Sequence, residues 1–134
     1  MTGRALTPGE LRRRCLAKPG AWDDFPFGPE TSVFKVGSKL FAISALDAQP
    51  LTVSLKCDPE VAAALRAHHP SIQPGYHLNK RHWNTVTLDG SLETDQVTAL
   101  IDDSYDLVVS SLPRAEREAI GRVESPVNPG GSRS

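Results

Sequence analysis

The residues best suited to chemistry fall in one run: Gly75-Tyr76-His77-Leu78-Asn79-Lys80-Arg81-His82-Trp83-Asn84. It mixes cations, imidazoles, amides and aromatic rings. Lys80 and Arg81 can neutralise phosphates. Asn79, Asn84, His77 and His82 can donate to phosphate oxygens or base edges, and Tyr76 or Trp83 can stack on a base. The same residues also have structural uses. Asn79 and Asn84 suit a turn, and Trp83, at the head of a strand, is expected to pack into the core and anchor that strand. Lys80 and Arg81 are therefore the residues expected to meet a partner.

A second pair of cations, Lys35 and Lys39, flanks Gly37-Ser38. Two residues led by glycine fit a tight hairpin turn. A hairpin with basic residues near its tip can lie along a nucleic-acid groove as a wing, and residues 79–84 would be a second wing. The plainer use of Lys35 and Lys39 is to keep a hairpin soluble.

All four histidines, His68, His69, His77 and His82, lie in one short stretch. Imidazoles bind metals and titrate near neutral pH. No acidic or cysteine ligand stands beside them in sequence, and His68 and His69 fall in the expected last turn of a helix, where they complement the helix dipole. No metal is expected there. Asp95, Asp102 and Asp106 recur at helical spacing and could attract a hard cation such as calcium or iron. Most such rows are simply solvated. Catalytic signatures are missing: no glycine-flanked serine elbow and no glycine-rich phosphate loop occurs. The expectation is a binding protein, not an enzyme, with no cofactor.

These residues need elements to position them. Thr7-Pro8-Gly9-Glu10 reads as a capping box with proline at the first helical position, opening a helix that ends near Ala17. Residues 22–29 read as a proline-broken loop. Strands are expected at 33–36, 39–44 and 51–56. In the last of these Leu51, Val53 and Leu55 alternate with Thr52, Ser54 and Lys56, giving one buried and one wet face. Asp58-Pro59 caps a helix that ends at His68 or His69, before Pro70. Residues 72–80 read as irregular or extended, 83–88 as a strand and 93–112 as a long helix broken by Pro113. A short helix over 114–120 follows. Antiparallel strands with helices on one face make an α+β two-layer sandwich. Residues 1–121 form one domain, and 122–134 are expected to be a disordered tail.

The 134 residues carry a net charge of −1. A typical nucleic-acid binder is strongly basic, so any such role must rest on where charge is placed. Placement is uneven: between Trp83 and Pro113 there is no Lys or Arg, while Asp89, Glu93, Asp95, Asp102, Asp103 and Asp106 all occur. Cys15 and Cys57 are too few for a zinc site. With no signal peptide and no apolar run long enough to cross a bilayer, a cytoplasmic monomer is expected.

From Thr7 to Leu112 the chain resembles the MmcQ/YjbR family of small bacterial proteins. Phe25-Pro26-Phe27-Gly28 is similar to its Pro-Phe-Gly segment. Residues 33–42 are similar to its hairpin, residues 75–86 to its signature, and Asp89-Gly90 with Asp103-Ser104-Tyr105 to its closing strand and helix. Leu78 stands where the family often has Met, and Ser38 where it often has Gly; neither change removes a charge. The resemblance implies a CyaY-like fold similar to bacterial frataxins. It also implies a DNA-binding role through a double wing. Together with the residues themselves this gives the expectation of weak or non-specific DNA binding, in which Lys35, Lys39, Lys80 and Arg81 neutralise phosphates and Asn79, His77 and His82 support or read the groove. A frataxin-like alternative is a metal-binding or protein-interaction module using the acidic helix 93–112.

Overall fold

The structure is a computed structural model that describes residues 5–75 and 78–124. It opens with helix α1, Pro8–Leu16. The Glu10 amide donates to Thr7 Oγ1 at 3.1 Å and the Thr7 amide donates to Glu10 Oε1 at 3.0 Å, closing the expected capping box. Strands β1 (Ala21–Asp24), β2 (Ser32–Val36), β3 (Lys39–Ser44) and β4 (Thr52–Lys56) follow. Helix α2, Pro59–His68, is capped by Asp58, whose Oδ1 accepts from the Glu60 amide at 3.0 Å. Strands β5 (Ile72–Pro74) and β6 (Trp83–Thr87) lead to helices α3 (Thr94–Ser110) and α4 (Arg114–Glu124).

All strands pair antiparallel in one sheet of order β1-β2-β3-β4-β6-β5. The α+β two-layer architecture is as expected, but the sheet gains a strand at Ala21–Asp24, largely where a loop was expected, and the stretch read as irregular or extended supplies a strand at Ile72–Pro74. Residues 21–24 are a strand because β2 offers them an edge; adjacent aspartates have little strand preference of their own. Ile72–Pro74 pairs on β6 for the same reason, with its proline at the strand's end on the outer edge of the sheet. Helix α4 runs to Glu124, so the first residues assigned to the tail are helical; residues 125–134 lie outside those described.

The core lies between the sheet and the helices. Phe34, Phe41, Val53, Leu55 and Val86 meet Val97, Ile101, Tyr105 and Val108 of α3. The β2–β3 register skips at Phe41, between the pairs Phe34–Ala42 and Lys35–Leu40. A bulge leaves backbone groups without a ladder partner. Ser104 of α3 answers this: its buried Oγ donates to the Phe41 carbonyl at 2.6 Å and accepts from the Lys56 amide at 2.8 Å. Phe41 and Tyr105 meet edge-to-face at 5.3 Å, and the Tyr105 hydroxyl donates to the Pro19 carbonyl.

Strand alternation sorts the rest. Asn84, Leu55, Ala42 and Phe34 face the helices, while Trp83, Thr85, Ser54 and Lys56 face away. Trp83 is thus half-buried on the open face, outside the core cluster. The expectation that it packs in the core is corrected. Its neighbour Asn84 takes the helix-facing position, and a one-residue step in a strand reverses the face.

Candidate nucleic-acid interface

Strand directions place the two expected wings at one end of the sheet. The start of β3 at Lys39, the end of β4 at Lys56 and the start of β6 at Trp83 run side by side. β3 and β6 flank β4, so the hairpin and the loop before Trp83 leave the sheet at the same end, from strands two spacings apart.

The loop is held by its backbone. Asn79 Oδ1 accepts from the Arg81 amide at 2.9 Å, and the His82 amide donates to the Asn79 carbonyl at 3.1 Å. The Cys57 amide donates to the His82 carbonyl at 2.7 Å. Arg66 Nη1 donates to the Lys80 carbonyl at 3.0 Å and to Asn84 Oδ1 at 2.8 Å. Asn79 therefore shapes the turn, and Asn84 is buried as a partner of Arg66. Lys80 and Arg81 are exposed, and their side chains have no hydrogen-bond or ion-pair partner among the described residues. The same holds for the Lys56 side chain, which stands beside Trp83 across the β4–β6 ladder. Sequence reasoning put Lys56 on a wet face but did not join it to the site. The long-range β4–β6 register does that. His82 is half-buried, and His77 lies outside the described residues.

The hairpin is different. Lys35 Nζ lies 2.9 Å from Asp24 Oδ2 and 5.2 Å from the Trp22 ring centre. The Lys35 hydrogen bond, with one from the Phe25 amide, holds the Asp24 carboxyl below its usual range. Lys39 Nζ donates to the Ser111 carbonyl at 2.9 Å, at the C-terminal end of α3. At the tip, the Ser38 amide and hydroxyl both donate to Glu116 Oε1 at 2.9 Å. The tip therefore carries a carboxylate, and both lysines are engaged within the molecule. Lys35 and Lys39, expected as contacts of a basic wing, thus both have partners within the molecule. Their partners lie on β1 and just past α3, which hairpin spacing cannot reveal.

His68 Nδ1 is 2.8 Å from the Ala64 carbonyl, in keeping with a helix-end role. Among the described residues no group of three or more His, Cys, Asp or Glu is placed to hold a metal ion. On the acidic helix, Asp102 is paired with Lys18 at 2.8 Å. Asp103 and Asp106 instead line a groove of about 330 Å³ with Cys57, Asp58, Val61 and Leu107. Burial, then the nearby Asp103 and Asp58, push the Cys57 thiol up, so this cysteine is no activated nucleophile. No helix among the described residues is long and apolar enough to cross a membrane.

A six-stranded antiparallel sheet with helices on one face and an anchored basic loop at one end make this an α+β protein of two layers. The chain belongs to the YjbR family, whose sequence model matches residues 16–107. It is 41% identical over 116 residues to the uncharacterized protein YjbR of Escherichia coli K12, covering 86% of this chain and 98% of that one. To YbdF of Escherichia coli O157:H7 it is 39% identical over 110 residues, covering 81% and 89%. The crystal structure of the Deinococcus radiodurans protein DR2400 superposes with a TM-score of 0.82 at 42% identity, over 90% of this chain and 92% of that one. A Pseudomonas syringae crystal structure gives a TM-score of 0.67 at 28% identity, over 76% and 98%.

Proposed function

We propose that the protein binds DNA weakly and without catalysis, through phosphates at the sheet end where Lys56, Lys80 and Arg81 gather. One observation carries this reading: three cationic side chains without a partner among the described residues stand around a backbone held by hydrogen bonds from Arg66 and Asn79. A cation that breaks no ion pair on binding keeps its full attraction for phosphate. A loop fixed beforehand loses little entropy when a ligand arrives. The net charge of −1 and the carboxylates of the helix layer limit affinity and confine contact to this end.

The test is fluorescence anisotropy of a labelled oligonucleotide across a salt series. About three phosphate contacts give a log–log slope of roughly −2 to −3. Lys80→Ala/Arg81→Ala should reduce the slope by about 2. An unchanged slope sinks the site, and no binding at low salt sinks the function.

A second reading has one observation in its favour. The groove beside α3 sets Asp58, Asp103 and Asp106 around Val61, which is 49% exposed. Carboxylates around an apolar floor suit a basic segment of a partner protein. Asp103→Asn/Asp106→Asn would weaken such a partner and leave the DNA salt slope intact.

A further inference from the structure

We propose that the open face of the sheet receives unpaired bases, so that the DNA held by Lys56, Lys80 and Arg81 is single-stranded. The proposal rests on the phosphate-binding reading above and specifies the form of nucleic acid.

The open face carries a groove of about 700 Å³. Its floor is a single cross-strand row, Ile43 on β3, Ser54 on β4 and Thr85 on β6, joined by direct register. Loop residues Phe27 and Leu78 also line it. That volume suits a small organic ring system. The described residues lining the groove are all uncharged, so the part of a ligand lodged here is neutral. It is not purely hydrocarbon, however. The Ser54 and Thr85 hydroxyls bond each other at 2.8 Å, and the Thr31 and Thr52 hydroxyls have no partner among the described residues. An alkyl chain would leave the Thr31 and Thr52 hydroxyls unanswered, whereas the edge of a heterocycle supplies both donors and acceptors.

The groove also has a direction. Two residues along β4 from Ser54, on the same face, stands Lys56; two residues along β6 from Thr85 stands Trp83. Each step is about 7 Å. Beyond Trp83 lie Arg81 and Lys80. Phe27, 70% exposed, offers a second ring. The occupant must therefore be flat, uncharged and hydrogen-bonding in the groove, and anionic one strand step away. A nucleotide divides its chemistry in this way. A duplex keeps its base faces stacked inside the helix and cannot fill the groove without unpairing. Aromatic rings beside a cationic track are the usual platform for single strands.

The experiment compares an oligothymidylate of about twelve nucleotides with a blunt duplex of equal length, by anisotropy at low salt, using the full chain. The single strand should bind at least about tenfold more tightly. Phe27→Ala should weaken single-strand binding by about fivefold or more without altering the salt slope, because it removes a ring and no charge. In a Trp22→Phe variant the remaining Trp83 should be quenched by the oligothymidylate. Equal or tighter duplex binding, or an unquenched Trp83, overturns the open-face assignment; with the salt slope retained, phosphate binding would stand. Loss of all binding at low salt would remove both readings.

Discussion

Lys39 donates to the main-chain carbonyl of Ser111 at 2.9 Å, so a cation from the β2–β3 hairpin closes the C-terminal end of α3. The last turn of that helix contains no basic residue of its own. A cation at this position complements the helix dipole and answers an orphan carbonyl. Lys39→Ala should therefore cost about 0.3–1 kcal/mol of stability, read as a lower denaturation midpoint. The DNA salt slope should not change. A slope that falls by about one would return Lys39 to the phosphate-contact set.

Lys35 and Asp24 give a pH prediction. The native Asp24 carboxyl is held below its ordinary value, first by the Lys35 hydrogen bond. A depressed acid contributes stability above the unfolded-state value, near 3.9, and loses it as the pH falls through the native value. The pair is partly solvent-exposed, so its contribution is small. NMR titration should find the Asp24 midpoint low, and Lys35→Met should move it back up. An unmoved midpoint would mean that the pair is not formed in solution.

Ser104 joins α3 to the bulge in β3 and to the end of β4. Removing its hydroxyl leaves the buried Phe41 carbonyl and the Lys56 amide without this partner. Ser104→Ala should cost about 1–3 kcal/mol, the range for leaving a buried polar group unsatisfied. Urea denaturation checks this, and a loss below about half a kcal/mol would mean that water or a backbone shift takes over the role.

Burial pushes the Cys15 thiol up to about 12, and Cys57 is raised as well. Both should stay protonated and unreactive towards a thiol reagent in the native protein at mildly alkaline pH, and both should react on unfolding. The unfolded chain releases its thiol protons near 8.5. Stability should hold below that point and fall as the pH rises towards about 12. Rapid native labelling of Cys15 would contradict its burial.

What the sequence determined by itself is local. Thr7 with Glu10, and Asp58 with Pro59, announce their helices because capping chemistry acts within three residues. Alternation from Leu51 to Lys56 assigns faces because side chains in a strand have a period of two. The run from Gly75 to Asn84 identified the family, and within it Lys80 and Arg81 as the exposed cations. Tertiary structure decided what those features are used for. Lys39 and Ser111 are 72 residues apart, and Lys35 meets Asp24 on a strand that exists only because β2 offers it an edge. Nothing near Lys35 or Lys39 in sequence marks either as occupied. Nothing near Lys56 marks it as a side chain without a partner among the described residues, or as the cross-strand neighbour of Trp83. A cation's availability depends on which carboxylates and carbonyls the packed chain brings within about 3 Å, and that distance is set by the whole fold.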